Sequence, residues 1–342
     1  MESCWVRGVF VTIITILLIQ QLPLARTYVI GVNFGMNGNN LPPATDVIDL
    51  YGKCSINFIR IYEPRHDVLE ALRGKPFLLS FGTRNEDIHS IAQDQNAANS
   101  WVSTDVIPYI NDVNIGYITL GNEVIPGAEA PYVSQAINNI LKALNDAGVH
   151  KDIKVTTVIS MAALAASYPP STGAFTPEAA NVLKDIGLTL WHHGSPIMVN
   201  VYPYFAYASN PGQISLEYAL FKSKNPVVVD GKYNYYNLFD AMVDAIHATF
   251  KKIGVPDINI DIAESVWPSA GNEPHTSTEN ALTYNRNFLN HVLSGAGTPR
   301  RPGRSFNAFI FEMFNENLKP AGVEQNFGFF QPNMKPVYPF WP

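Results

Sequence analysis

Eight apolar runs of strand length recur along the chain, and segments with helical periodicity separate them. Most of the runs are continuously hydrophobic rather than alternating, which is typical of parallel strands covered on both faces. The eight runs span residues 28–33, 56–62, 77–81, 117–123, 154–160, 196–204, 258–264 and 306–316. Strands and helices that alternate in this way predict a single (β/α)8 (TIM) barrel, and 342 residues are enough to form one.

Helix signals in the intervening segments support the same architecture. Four segments carry apolar stripes at helical spacing, and a glycine follows the last three of them as a C-cap signal. They are residues 44–53, 132–147, 238–253 and 279–293. The longest departure from the pattern, residues 206–236, contains a β-branched run that ends in a hairpin signal at Asp230-Gly231. We interpret it as an excursion on the sixth β/α unit rather than as a second domain.

Two glutamates stand where apolar runs end. Glu123 follows Gly121-Asn122 at the end of the fourth run, and Glu264 ends the seventh run ahead of Trp267-Pro268. The carboxyl ends of barrel strands form the face that carries active sites, so both carboxyls are expected at one cleft. The other side chains expected at these strand ends are Asn33, Tyr62, Asn122, Tyr202, Trp267 and Glu316.

A pair of carboxyls among neutral polar and aromatic side chains points to cleavage of glycosidic bonds. One carboxyl must protonate the leaving oxygen while the other attacks or stabilises the anomeric carbon. Five of these residues also have a purely structural interpretation. Glu123 could pair with a core arginine, Glu264 could cap a turn, Glu316 could belong to a polar loop, and Tyr62 and Tyr202 could be rim aromatics.

Composition and motif content exclude several other classes of function. The net charge of −6 gives no electrostatic support for binding nucleic acid. His192-His193 lacks the spacing of a helical metal site, and Cys54 would be the single cysteine of the mature chain, so no metal site is predicted. No serine-nucleophile elbow, phosphate loop or dinucleotide fingerprint occurs, and no cofactor is expected.

The first residues have the pattern of a secretory signal peptide. Arg7 precedes an apolar stretch at residues 9–19, and small or polar residues follow near Ala25. The stretch is shorter than the ~20 residues needed to span a membrane, and the final residues carry no lipid-anchor tail. We therefore predict a signal peptide at residues 1–26 and one catalytic domain at residues 27–342, in a secreted monomer without a stable membrane anchor.

Seven longer motifs follow one another along the chain, at residues 30–35, 60–64, 121–123, 200–205, 237–242, 267–271 and 313–317. Together they resemble the motifs of plant glycoside hydrolase family 17, the endo-β-1,3-glucanases. Two positions around Glu264 depart from the family pattern, because Ala263 stands in place of a serine and Val266 in place of a glycine. The resemblance covers essentially the whole mature chain.

The resemblance implies a retaining endo-hydrolase of β-1,3-glucan, such as callose or microbial wall glucan, in the extracellular space or cell wall. It implies that Glu123 is the acid/base and Glu264 the nucleophile, with their carboxyls ~5–5.5 Å apart. The substrate-binding residues predicted beside them are Asn122, Tyr62, Tyr202, Trp267, Glu316, Lys319 and Glu324. A non-catalytic glucan-binding protein and a glucan-remodelling transglycosylase on the same fold are the alternatives.

Overall fold

Eight parallel strands close into a barrel, in which each strand pairs with the next and the last pairs with the first. The structure, a computed structural model, describes residues 30–341, so the predicted signal peptide lies outside the described residues. The strands are β1 (Ile30–Asn33), β2 (Phe58–Arg60), β3 (Leu78–Thr83), β4 (Asn114–Asn122), β5 (Lys154–Ser160), β6 (Ile197–Asn200), β7 (Ile260–Ser265) and β8 (Ala308–Ile310). Each of the eight apolar runs supplies one strand, which confirms the predicted (β/α)8 barrel.

Helices follow the strands, as predicted. They are α1 (Ala44–Lys53), α2 (His66–Leu72), α3 (Ile88–Gln93), α4 (Gln95–Asp105), α5 (Val133–Asp146), α6 (Pro177–His192), α7 (Pro203–Ser209), α8 (Leu216–Ala219), α9 (Leu238–Lys252) and α10 (Thr278–Ser294). Residues predicted from the sequence to cap helices do so at two of these helices. The Asn237 side chain accepts a hydrogen bond from the Asp240 backbone at the start of α9, and Gly295 ends α10 in the left-handed conformation.

Several strands are shorter than their apolar runs, and the difference is largest for the runs at 196–204 and 306–316. The run at 196–204 ends as a strand at Asn200, because Pro203 occupies the first position of α7, where its fixed φ favours a helix. The run at 306–316 ends as a strand at Ile310, and Met313 then donates a backbone hydrogen bond to Asn33 at the end of β1. Most residues beyond these two strands are apolar and buried, so burial rather than strand pairing sets the length of these runs.

The excursion on the sixth unit is confirmed, and it contains the predicted hairpin. Val228–Asp230 pairs with Tyr233–Tyr235, so the two-residue turn is Gly231-Lys232, one position later than the sequence signal indicated. A second ribbon, Leu164–Ala166 with Ala174–Phe175, follows β5. The Asp230 carboxylate accepts hydrogen bonds from the backbone and the hydroxyl of Ser171, at 2.6 and 2.7 Å, and so joins the hairpin to the turn within this ribbon.

The barrel interior is filled by side chains. A cluster of strand residues packs there, separate from the larger core in which the helices take part. Its buried members are Phe58, Tyr117, Val158, Met198, Ala263 and Phe309. A packed interior leaves the ends of the strands as the place for a binding cleft. Within residues 30–341, no helix has both the length and the apolar character needed to cross a membrane.

Candidate active site

A cleft of about 1240 Å³ opens among the loops that follow the strands. Eight of the nine site residues predicted from the sequence line it. They are Tyr62, Asn122, Glu123, Tyr202, Glu264, Glu316, Lys319 and Glu324. Strands separated by more than two hundred residues therefore bring these side chains around one space, as their positions at strand ends predict.

Trp267 is the exception. Its side chain is 0% exposed, and its ring packs against Tyr204 and Tyr284, with centroids 5.2 and 5.7 Å away. Its indole nitrogen donates a hydrogen bond to the His275 carbonyl at 3.0 Å. A fully buried ring presents no face to the cleft, so the structure does not bring Trp267 together with the other predicted site residues. The ring instead supports the segment that follows Glu264.

Glu264 is held by three hydrogen-bond donors. Arg60 Nη1 and the Tyr62 hydroxyl donate to Oε1 at 3.0 and 2.7 Å, and the Tyr202 hydroxyl donates to Oε2 at 2.5 Å. Glu264 is 6% exposed and is the next-to-last residue of β7. Charge-assisted bonds to both oxygens fix the orientation of the carboxylate before any substrate arrives.

Arg60 is a site residue that the sequence reasoning missed. It is fully buried at the end of β2, and its Nη2 donates to Asn122 Oδ1 at 2.9 Å while Nη1 binds Glu264. Its guanidinium also lies 4.3 Å from the centre of the Tyr62 ring. The available signal was an arginine inside an otherwise apolar run. The structural alternative considered for Glu123 involved such an arginine, but the structure pairs Arg60 with Glu264.

We expect Arg60→Met to lower the free energy of unfolding by about 3–5 kcal/mol, because it leaves the Glu264 charge buried without its cation. The double variant Arg60→Met with Glu264→Gln should recover much of that loss, since no buried charge then remains unpaired. Urea denaturation of the two variants and the wild type measures the difference. Equal losses in the single and double variants would show that Arg60 acts through packing alone.

Glu123 projects from a sharp turn at the end of β4. Gly121 and Glu123 both have positive φ, at 76° and 58°, and the Glu123 backbone N–H donates to the Val158 carbonyl on β5 at 3.0 Å. Positive φ is costly for a residue with a side chain and is concentrated at functional sites. The turn aims the Glu123 carboxyl into the cleft, where it is exposed at the mouth.

The surroundings of Glu123 favour its protonated form. Desolvation by the cleft walls raises the pKa of this carboxyl, and the charges of Glu264 and Glu324 raise it further. The hydrogen bond from Asn200 Nδ2 to Oε1, at 2.6 Å, and the charge of Arg60 oppose this shift. The net result is a pKa above the ordinary value for glutamate. Asn200 was not predicted as a site residue, because it lies within a run that reads as a buried strand.

Asn122 links the two glutamates. Its Oδ1 accepts from Arg60, which also holds Glu264, and its backbone precedes Glu123. Asn85 fixes this backbone by donating from Nδ2 to the Asn122 carbonyl at 3.1 Å and accepting from the Asn122 N–H at 2.9 Å. These contacts fix the position of Asn122, so the two glutamates are held relative to each other through Asn122 and Arg60.

A third group of charges lies beside the cleft. Lys319 Nζ is 2.9 Å from Glu316 Oε2 and 3.6 Å from Glu312 Oε1, and both glutamates are buried. Glu316 also accepts a hydrogen bond from the Asn37 backbone. The sequence prediction named Glu316 and Lys319 but missed Glu312, whose signal was again a charged residue inside an apolar run. Among the described residues, no cluster of histidine, cysteine and acidic side chains is suited to hold a metal ion.

The two departures from the family pattern lie away from the cleft space. Ala263 and Val266 are both fully buried. Ala263 belongs to the cluster inside the barrel, and Val266 to the larger core. Neither side chain lines the cleft, so the walls that surround Glu264 are built from other residues.

Comparison with known proteins agrees with this geometry. The family model for glycosyl hydrolases family 17 matches residues 30–340. A probable glucan endo-1,3-beta-glucosidase of Arabidopsis thaliana is 45% identical over 314 residues, which are 90% of each chain.

Two solved structures have the same fold at substantial identity. A plant beta-glucan endohydrolase superposes with a TM-score of 0.87 at 41% identity, over 91% of this chain and all of that one. A beta-1,3-glucanase and pollen allergen of Cryptomeria japonica has a TM-score of 0.86 at 47% identity, over 91% of this chain and 98% of that chain. With a family match over nearly the whole described barrel and both glutamates in one cleft, the chain belongs to glycosyl hydrolase family 17.

Proposed function

We propose that the protein is an endo-hydrolase of β-1,3-glucan that retains anomeric configuration, with Glu123 as acid/base and Glu264 as nucleophile. The names of the relatives support the linkage, since the Arabidopsis protein is called a probable glucan endo-1,3-beta-glucosidase and the Cryptomeria protein a beta-1,3-glucanase. One observation supports the assignment of roles. Glu264 accepts hydrogen bonds from three donors, which favour its ionised form, whereas the surroundings of Glu123 raise its pKa and favour its protonated form. Unequal environments of this kind separate an acid from a nucleophile.

In the first step, Glu123 gives its proton to the glycosidic oxygen while a Glu264 oxygen attacks the anomeric carbon. The bond from that carbon to the leaving glucan breaks, and a glycosyl ester forms on Glu264. The donors on Glu264 aim its oxygens at the carbon, which reduces the reorganisation that the attack requires.

In the second step, the ionised Glu123 takes a proton from water, and the water oxygen attacks the anomeric carbon. The ester bond breaks, Glu264 leaves as a carboxylate, and the product keeps the β configuration. Asn200 donates to Glu123 and stabilises its ionised form during this step. Arg60, Tyr62 and Tyr202 donate hydrogen bonds to Glu264 and stabilise its negative charge when it leaves.

The alkaline limb of the pH profile for kcat/KM should follow the pKa of Glu123, because its protonated form is the active one. Asn200→Ala removes a bond to the ionised form and should move the limb to higher pH. Glu324→Gln removes a negative charge that raises this pKa and should move the limb to lower pH. Glu63→Gln is the matched control, since Glu63 lines the same cleft but is not among the main influences on Glu123. Shifts in the same direction for Asn200→Ala and Glu324→Gln would contradict this assignment.

Product analysis tests the proposed reaction. The mature protein is incubated with linear β-1,3-glucan and, separately, with mixed-linkage β-1,3-1,4-glucan. We expect an early fall in chain length on the linear substrate, with newly formed reducing ends in the β configuration by NMR. An α product would overturn the retaining mechanism. Binding without cleavage would favour a glucan-binding protein, and products longer than the substrate would favour a transglycosylase.

We also propose that residues 1–26 are removed as a signal peptide and that the mature protein acts as a secreted monomer, on plant callose or on microbial wall glucan. N-terminal sequencing of protein recovered from the medium of secreting plant cells tests the cleavage. Light scattering tests the monomer. Recovery of uncleaved chain in the membrane fraction would contradict secretion.

A further inference from the structure

Glu312 is a buried carboxyl that the proposed reaction does not use. Its side chain is 0% exposed, and neither oxygen receives a hydrogen bond from any donor among residues 30–341. In this part of the chain Lys319 is the one cation within ion-pair distance of it, and Lys319 lies closer to Glu316. Two buried carboxyls therefore face one ammonium group. If all three were ionised, one negative charge would remain unpaired away from water, which is costly.

The two carboxyls lie side by side against Gly35. A side-chain carbon placed on Gly35 would clash with Glu312 Oε2 and would lie 2.6 Å from Glu316 Oε1. The two carboxyls are therefore neighbours, and a carboxylate cannot donate a hydrogen bond to another carboxylate. The pair therefore needs a proton between the two groups to form a hydrogen bond.

The groups that face Glu312 favour its neutral form. Burial raises the pKa of Glu312 well above its ordinary value, Lys319 opposes this shift, and the charges of Glu316 and Glu264 add to it. Two tyrosines also face it, and neither brings a positive charge. The ionisable groups around Glu312 are Tyr51 on α1, Tyr62 after β2, Glu264 on β7, Glu316 and Lys319.

We propose that Glu312 is protonated near neutral pH and donates its O–H to the Glu316 carboxylate, so that the two carboxyls share one proton and Lys319 neutralises the single remaining charge. Lys319 is then fixed between Glu316 and the face of Phe311, whose ring centre is 4.2 Å from Nζ. Glu312 itself does not line the cleft, whereas Glu316 and Lys319 do. Glu312 is thus a positioning residue that acts through them, and this role rests on the proposed function.

The proton can be observed without substrate. Infrared difference spectra of wild type minus Glu312→Gln at about pH 7 should show the C=O band of a carboxylic acid. Wild-type stability should also depend on this proton. The contribution is full below the unfolded pKa of about 4.3 and is lost as pH rises through the raised folded pKa. The Tm of Glu312→Gln relative to wild type should therefore increase between about pH 5 and about pH 9.

Kinetics on linear β-1,3-glucan test the positioning role. Glutamine keeps the shape and the donor of a protonated glutamate, so Glu312→Gln should keep kcat/KM within about threefold, whereas Glu312→Ala should lose about tenfold. Asp244→Asn is a control, because it removes a buried carboxyl on α9 outside the cleft and should leave kcat/KM unchanged.

A missing acid band, or a Tm difference that does not change with pH, would overturn the shared proton. Equal losses in Glu312→Gln and Glu312→Ala would overturn it as well, because an ionised Glu312 would then be required. If the proposed reaction itself were wrong, the infrared and stability results would still stand, so the two failures are distinguishable.

Discussion

Glu264→Gln is expected to lower kcat on β-1,3-glucan by at least about 10⁴-fold, because removal of a nucleophile abolishes the covalent step on which turnover depends. The fold should persist, since the glutamine carbonyl can still accept from Arg60 or Tyr62. Initial rates of reducing-end release, together with the Tm of the variant, measure both effects. Glu217→Gln, an exposed position on α8, serves as the matched control.

Chemical rescue separates a nucleophile from a residue that merely shapes the site. Glu264→Ala leaves space beside the anomeric carbon, and added azide should attack there directly. The product from an activated aryl glycoside should then be an α-glycosyl azide, since a single displacement inverts configuration. A β-azide from this variant would show that Glu264 is not the nucleophile.

Glu123→Gln is expected to lower kcat on glucan by about 10²–10⁴-fold, because the leaving oxygen departs without a proton. The loss should shrink on a dinitrophenyl glycoside, whose leaving group is stable as an anion and needs no acid in the first step. The kcat/KM values of variant and wild type on the two substrates measure this contrast, because kcat/KM reports the first step and not the second, in which Glu123 acts as base. Equal losses on both would mean that Glu123 is not the general acid.

Azide rescue provides a second test of the role of Glu123. In Glu123→Ala the glycosyl ester can still form from the activated substrate, but no base assists water in the second step. Azide needs no base, so it should accelerate turnover and give a β-glycosyl azide. Opposite azide configurations from the Glu123 and Glu264 variants would assign both roles independently of pH profiles.

The barrel could be predicted from the sequence because its strands are covered on both faces. Such strands must be hydrophobic along their whole length, and eight continuous runs are therefore visible without any structure. The two catalytic candidates were visible for a related reason. Glu123 and Glu264 are charges placed where a run stops, and the carboxyl ends of parallel strands share one face of the barrel.

The contacts among site residues were not predictable in the same way. Arg60 and Glu312 interrupt apolar runs, but the sequence does not reveal that one faces Glu264 and the other faces Lys319. Those pairings depend on barrel closure, which brings β2 opposite β7 and carries the segment after β8 over the end of β1. Trp267 is the converse case. Its position in the chain is next to the cleft, but its side chain turns into the core, and only backbone geometry after Glu264 decides that direction.

The hydrogen bonds from Ser171 to Asp230 have a consequence for the exchange of loops on this barrel. The turn that carries Ser171 is also fastened to α9, since Lys252 donates to the Thr172 carbonyl at 2.6 Å and Gly173 lies against the Ala245 carbonyl. The loops after β5 and β6 are therefore bonded to each other, and the first of them is also bonded to this helix. Replacing either loop alone with that of a relative would remove the hydrogen bonds that hold the other loop. The two loops should therefore be exchanged together.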